Sequence, residues 1–214
     1  MFQASDGAPV SGPDVSGTGS GFADPVIDSQ DAFRGCVAAL ATPGAVVRIR
    51  TGLLPVPPFG PAATALLLAL LDQDTRLWLS PGASAGSAAA SLKFHTGCSL
   101  AAVPGEADFA FVAGVEELPP LESFGADAQD YPERSATVLL QVPELAERGW
   151  KLTGPGIRCE SGLAVPALGV GFVEQWERNR ARFPRGIDLY LVCGEQVCGL
   201  PRTTRKKPKR SSCR

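Results

Sequence analysis

Apolar positions recur along this chain with two alternating periods. Asp24-Pro25 reads as an N-cap followed by the first helical residue. Phe33, Val37 and Leu40 follow at helical spacing until Pro43-Gly44 stops the run. Ala45–Arg50 (AVVRIR) alternates as a strand. Pro61 opens a second helix, Ala62–Leu71, apolar nearly all round, a pattern that demands cover on every side. Arg76–Ser80 predicts a strand, Ser84–Leu92 a helix of small residues, and Ala107–Val112 another strand. Glu116–Phe124 is a helical stretch interrupted by Pro119-Pro120. Ala136–Val142 (ATVLLQV) has almost no polar relief and predicts a strand at the centre of a sheet. Trp150–Thr153 begins a strand closed by Gly154-Pro155-Gly156, and Phe172–Arg182 is a helix. Ile187–Cys193 and Gln196–Leu200 form a hairpin across Gly194-Glu195. Strands and helices alternate until that hairpin closes the chain, so the fold class expected is α/β, with a mixed β-sheet covered by helices.

Composition confines this pattern to one body. Residues 3–21 are small, polar and rich in Gly, Ser and Pro, which makes 1–21 a flexible leader. The charge balance is 20 basic against 22 acidic residues. The last ten residues (RKKPKRSSCR) hold six of the bases and no acid, so the remainder carries 14 against 22, or −8. The expected organisation is a single domain over 22–204 and a basic flexible tail over 205–214, removable without loss of folding. An acidic body with a basic tail is not the composition of a nucleic-acid-binding domain, so no specific nucleic acid is expected as partner. The apolar run Pro61 to Leu71 is too short to span a bilayer. The N-terminus lacks a basic region followed by an apolar one, so the expectation is a cytoplasmic protein with no membrane partner.

Candidate chemistry is sparse. One histidine, His95, excludes zinc sites built on two or three. The six cysteines, at 36, 98, 159, 193, 198 and 213, include no C-x-x-C, and reduced buried thiols are expected. Neither a Walker A loop nor a dinucleotide fingerprint is present: Gly169-x-Gly171 lacks its third glycine. Asp72-Gln73-Asp74-Thr75 reads as a helix-to-strand loop before it reads as a cation site. Lys93 and Lys151 are the lysines of the body, and neither has a phosphate cup near it in sequence. Lys93, His95 and Thr96 close a helix whose end suits cations, and they form a candidate anion-binding or partner-contact cluster. Arg202 and Thr203, after the hairpin, form a second. Nowhere does a nucleophile meet a matched base, so catalytic residues, metal and cofactor are left unassigned or absent.

FADPVIDSQDAFR (22–34), Pro43-Gly44, DQDTRLWLS (72–80), SLKFHTG (91–97), LTGPGI (152–157) and above all GIDLYLVCGEQVCGLPRTT (186–204) carry, in the family's order, a resemblance to the PhnH family of carbon–phosphorus lyase subunits. It implies a three-layer α/β sandwich similar to pyridoxal-phosphate-dependent transferases, without their lysine and without that cofactor. It implies a homodimer alone, and assembly with PhnG-, PhnI- and PhnJ-type subunits and the associated ATPase subunit PhnL. That system makes ribose 1-alkylphosphonate 5-triphosphate from ATP and an alkylphosphonate, with loss of adenine; later, PhnJ breaks the C–P bond. The role implied is a non-catalytic or accessory subunit in phosphonate catabolism. The rivals are an autonomous small-molecule transferase with its own pocket and an RNA-binding protein using its tail. Lys93 stands where relatives are expected to carry Arg, which alters any anion site there because only Arg forks bidentately. Helix 62–71 and hairpin 187–200 are the elements expected to make subunit contacts.

Overall fold

The computed structural model describes residues 21–50, 52–84, 86–125 and 134–207. The proposed leader up to residue 20 and the tail from residue 208 lie outside them.

Helix α1 (Pro25–Ala41) begins as its sequence dictates: the Asp24 side chain accepts from the amides of Val26 and Ile27, and Pro25 occupies the first turn. Ala32, Cys36 and Ala39 point inward, while Phe33 and Val37 are half exposed. The cause lies in strand β9 (Gln196–Leu200), over which the helix runs. A Cβ on Gly199 would collide with the Ala39 carbonyl, so helix and strand meet backbone to backbone. Only small side chains fit such a contact, and the bulky ones turn aside.

Helix α2 (Pro61–Leu70) fulfils its all-apolar pattern, with Ala62, Ala63, Ala65, Leu66 and Leu67 fully buried. Its cover comes from this chain: α1 packs on it, as does α4 (Ala88–Thr96). The hairpin of β8 (Asp188–Cys193) and β9 is equally internal. Both elements expected at subunit contacts therefore serve the core.

The main sheet has seven strands. The others are β1 (Val47–Arg48), β2 (Arg76–Leu79), β3 (Ser99–Leu100), β4 (Phe109–Val112) and β5 (Thr137–Gln141). Their order is β1-β9-β8-β5-β4-β2-β3. The strand with least polar relief, β5, is the middle one, parallel to β4 and β8. β9 and β1 run antiparallel at one end, so the sheet is mixed as expected. One face packs on α1, α2 and α4. The other packs on α5 (Val170–Ala181) and on a second sheet of β6 (Ala146–Thr153), β7 (Ser161–Ala164) and β10 (Arg205–Lys206). The cover is thus helices on one side, and a helix with a small sheet on the other. Pro81–Ser84 forms a single short helical turn, α3. The stretch around Pro119-Pro120 forms two 3-10 turns, because proline removes the amides a helix would need.

Strand β10 moves the end of the folded body three residues past Thr204. Arg205 and Lys206 pair with Thr153 and Leu152, and the Lys207 amide donates to the Lys151 carbonyl at 2.7 Å. The Lys206 ammonium lies 5.0 Å from the Trp150 ring. Glu160 receives both Lys207 (2.6 Å) and Lys151 (2.8 Å), and these two hold its carboxyl at about 2 instead of 4.5. A carboxyl lowered on folding supports the fold above its ordinary value, so this clamp holds above about 4.5 and is lost as pH falls toward 2. A chain cut after Lys207 is expected to melt like the full chain. A cut after Thr204 loses the ladder and the cation–π contact and lowers Tm by about 3–6 °C. Calorimetry of the two truncations checks this, and equal melting would refute the role given to β10.

Candidate functional site

In an open α/β sheet, ligands bind outside the carboxyl ends of the parallel strands, where the chain reverses its direction of winding. Here β2 leads to β3 on one side, while β4 and β5 continue on the other, so that point lies between β2 and β4. Amides at this point are bonded to the chain's own side chains. The Ser80 hydroxyl accepts from the Ala113 amide at 3.1 Å, and the Glu117 carboxylate accepts from the Gly82 amide at 3.0 Å. An incoming phosphate would need these same amides. The start of α2 is also taken. The Gly60 amide donates to Gln141 Oε1 at 2.8 Å, the Gln141 amide donates to the Pro58 carbonyl at 2.9 Å, and the Ala62 amide donates to the Gly194 carbonyl at 2.9 Å.

The sequence-derived candidates do not converge. Lys93, His95 and Thr96 lie at the end of α4, which leads to β3 at one edge of the sheet. Arg202 and Thr203 follow β9, with β8, β5, β4 and β2 between. At about 4.8 Å per strand the two groups are separated by roughly 24 Å. Gly97 caps α4 in the left-handed region (φ 73°), its amide donating to the Lys93 carbonyl. The Thr96 hydroxyl donates to the Leu92 carbonyl and accepts from the Cys98 amide, so it serves the cap. Lys93 and His95 are exposed, with Gly21 against the His95 ring.

Arg202 is committed differently. Its guanidinium donates to both oxygens of Asp188 (Nη2 at 2.7 Å, Nε at 3.2 Å) and to the Pro184 carbonyl (3.0 Å). Its amide donates to the same carboxylate at 2.7 Å. The pair closes the exit from β9 onto the start of β8. Lys151, the other body lysine, is paired with Glu160.

An apolar cleft of about 550 Å³ lies between α1, the end of α2 and the amino ends of β4, β5 and β8. Sequence reasoning missed it, because helical spacing places Phe33, Val37 and Leu40 along one helix without saying what covers them. At its floor, Cys36 Sγ and Tyr190 Oη are 2.7 Å apart, and Tyr190 donates to the Cys36 carbonyl at 3.2 Å. With the phenol proton so placed, the thiol is the donor to Oη. Burial raises both groups, so both stay neutral. Cys198 is likewise buried and pushed up to about 12, and the Cys193 thiol donates to the Pro143 carbonyl at 3.3 Å. Among the described residues, no group of three His, Cys, Asp or Glu side chains has the geometry to hold a metal ion.

The amides at the β2–β4 crevice and at the start of α2 are thus bonded within the chain, while the cleft beside α1 is open. The profile of the PhnH family, bacterial phosphonate metabolism proteins, matches residues 20–207. The chain belongs to the PhnH family. It is 40% identical over 186 residues to the alpha-D-ribose 1-methylphosphonate 5-triphosphate synthase subunit PhnH of Rhizobium meliloti (strain 1021), covering 86% of this chain and 92% of that protein. It is 35% identical over 180 residues to the putative C-P lyase subunit protein HtxG of Stutzerimonas stutzeri, covering 82% and 84%. The PhnH match ends at Lys207, the residue after β10 that is clamped by Glu160.

Proposed function

We propose that this chain is a non-catalytic subunit of a carbon–phosphorus lyase complex in phosphonate catabolism. It would support formation of ribose 1-alkylphosphonate 5-triphosphate from ATP and alkylphosphonate by a transferase assembly. The observation that carries this reading is the similarity, over 86% of this chain and 92% of the relative, to a named synthase subunit. The amides at the β2–β4 crevice, already bonded to Ser80 and Glu117, support the non-catalytic part. The partners are PhnG-, PhnI- and PhnJ-type subunits, and the setting is the cytoplasm; no helix among the described residues is long and apolar enough to cross a membrane. In isolation the chain forms a homodimer, for which Phe94, Leu100 and Val103, all half exposed or more around the β3 edge, offer apolar surface. Lys93 and His95 are an anion-binding or partner contact within the assembly, being exposed above a helix end that Thr96 holds in place. The fold is a three-layer sandwich of the kind seen in pyridoxal-phosphate-dependent transferases, here without the cofactor.

Purified alone and given ATP and methylphosphonate, the chain is expected to release no adenine. With its partner subunits present, adenine release should depend on it. Adenine formed by the chain alone would favour an autonomous transferase instead.

A further inference from the structure

We infer that the exposed turn between α5 and β8 anchors another subunit of the complex, seating Phe183 in an apolar pocket of that subunit rimmed by carboxylates. The inference rests on the subunit reading above and adds where the partner sits and what it presents. The turn, residues 182–187, reads Arg-Phe-Pro-Arg-Gly-Ile. Phe183 is 62% exposed, Arg185 is exposed and Arg182 partly so. Aromatic rings and guanidiniums are the groups enriched where protein interfaces hold most tightly.

The backbone of the turn is held from beneath. The Arg182 and Phe183 amides donate to the Asn179 and Arg180 carbonyls at 3.2 and 3.1 Å. The buried Asn179 side chain accepts from the Ile187 amide at 2.8 Å and donates to the Ile187 carbonyl at 2.9 Å. Arg202 donates to the Pro184 carbonyl at 3.0 Å. A ring presented from so fixed a backbone has little freedom left to lose on docking.

Charge names the chemistry of the partner. Around the turn, Arg178 is matched by Glu122, Arg180 by Glu177 and Arg202 by Asp188. Arg134, ahead of β5, is also engaged. Arg182 and Arg185 join no ion pair among the described residues. The other acid of α5, Glu174, lies two turns before Arg182, about 12 Å along the helix. Two guanidiniums beside an exposed ring suit Asp or Glu at the edge of an apolar pocket, because each can grip a carboxylate with a pair of bonds. A second copy meeting this turn about a two-fold axis would set the same guanidiniums against one another. A nucleic acid would meet a chain whose remaining body is net acidic.

The test co-expresses the tagged full chain with the PhnG-, PhnI- and PhnJ-type subunits of the same organism and measures how much of them co-purifies. Phe183→Ser is expected to reduce recovery at least tenfold, as loss of a central aromatic anchor does. Arg182→Glu with Arg185→Glu, which keeps the ring, should reduce it as far, and Arg182→Lys with Arg185→Lys should fall between, keeping the charge and losing the fork. Val170→Ser, an exposed position at the other end of α5, should recover the partners at the parental level. All these chains should melt within a few degrees of the parent. Parental recovery from Phe183→Ser or from the double Glu variant would overturn the inference and leave the subunit reading standing. A large fall in melting temperature of the double Glu variant would also overturn it, since the two bases would then be matched within this chain. So would loss of self-association alone, measured by light scattering, or loss of the parent's recovery on nuclease treatment, since a second copy or a nucleic acid would then be the occupant. If the parent chain itself recovers no partner, the subunit reading fails together with this surface.

Discussion

Leu67→Asp is expected to abolish the folded state. Leu67 lies in α2 with no exposed surface, in a helix covered by α1, by α4 and by the sheet. The substitution removes a buried leucine, a loss of about 2–5 kcal/mol by itself. It also places a carboxylate where no base and no water can reach it, which costs several kcal/mol more even after the group takes up a proton. A domain of this size has roughly 5–15 kcal/mol in hand, so the sum takes most or all of it. The expected outcome is insoluble protein, or soluble protein without near-ultraviolet circular dichroism. Leu67→Ala, which leaves only a cavity, should remain folded with a lowered Tm. A Leu67→Asp chain that melts cooperatively near the parent temperature would show that α2 is not enclosed as described.

Asp188→Ala is the next largest effect. Asp188 accepts three bonds from Arg202, two from the guanidinium and one from the backbone amide, and the two side chains are only 22% and 12% exposed. Removing the carboxylate takes these three bonds from Arg202 at a poorly solvated position. The expected cost is about 2–4 kcal/mol, or about 5–12 °C in Tm. Arg202→Lys should lie between the variant and the parent, because a lysine keeps the charge and loses the fork. Equal melting of Asp188→Ala and the parent would show that the pair does not secure the chain's exit from the sheet.

The elements legible in the sequence are those whose own pattern decides their state. The uniform apolarity of α2 and β5 demanded burial, and both are enclosed, β5 at the centre of the sheet. The Asp24-Pro25 start of α1 and the Gly194-Glu195 turn are local chemistry and could be placed from local sequence. β3, β7 and β10 were illegible: they are two to four residues long and made of Ser, Gly, Arg or Lys alongside Leu and Ala. They exist because a partner strand is already in position, and no local propensity announces that. The inward face of α1 was illegible for a related reason. Period alone favours the largest apolar residues, but the contact with Gly199 admits only the small ones. At the candidate sites, Asp188 and Arg202 were both visible as charged residues, yet only the hairpin's register brings them together. The bond from the Gly82 amide to Glu117 at the β2–β4 crevice was invisible, since it joins two loops 35 residues apart.

The central claim is that this chain is required for phosphonate breakdown without carrying out the chemistry itself. It is tested most directly by deleting its gene alone in a strain that grows on methylphosphonate as sole phosphorus source. The deletion strain should fail to grow, and should recover when the parent chain is supplied but not when Leu67→Asp is. Unimpaired growth without the chain would contradict the account.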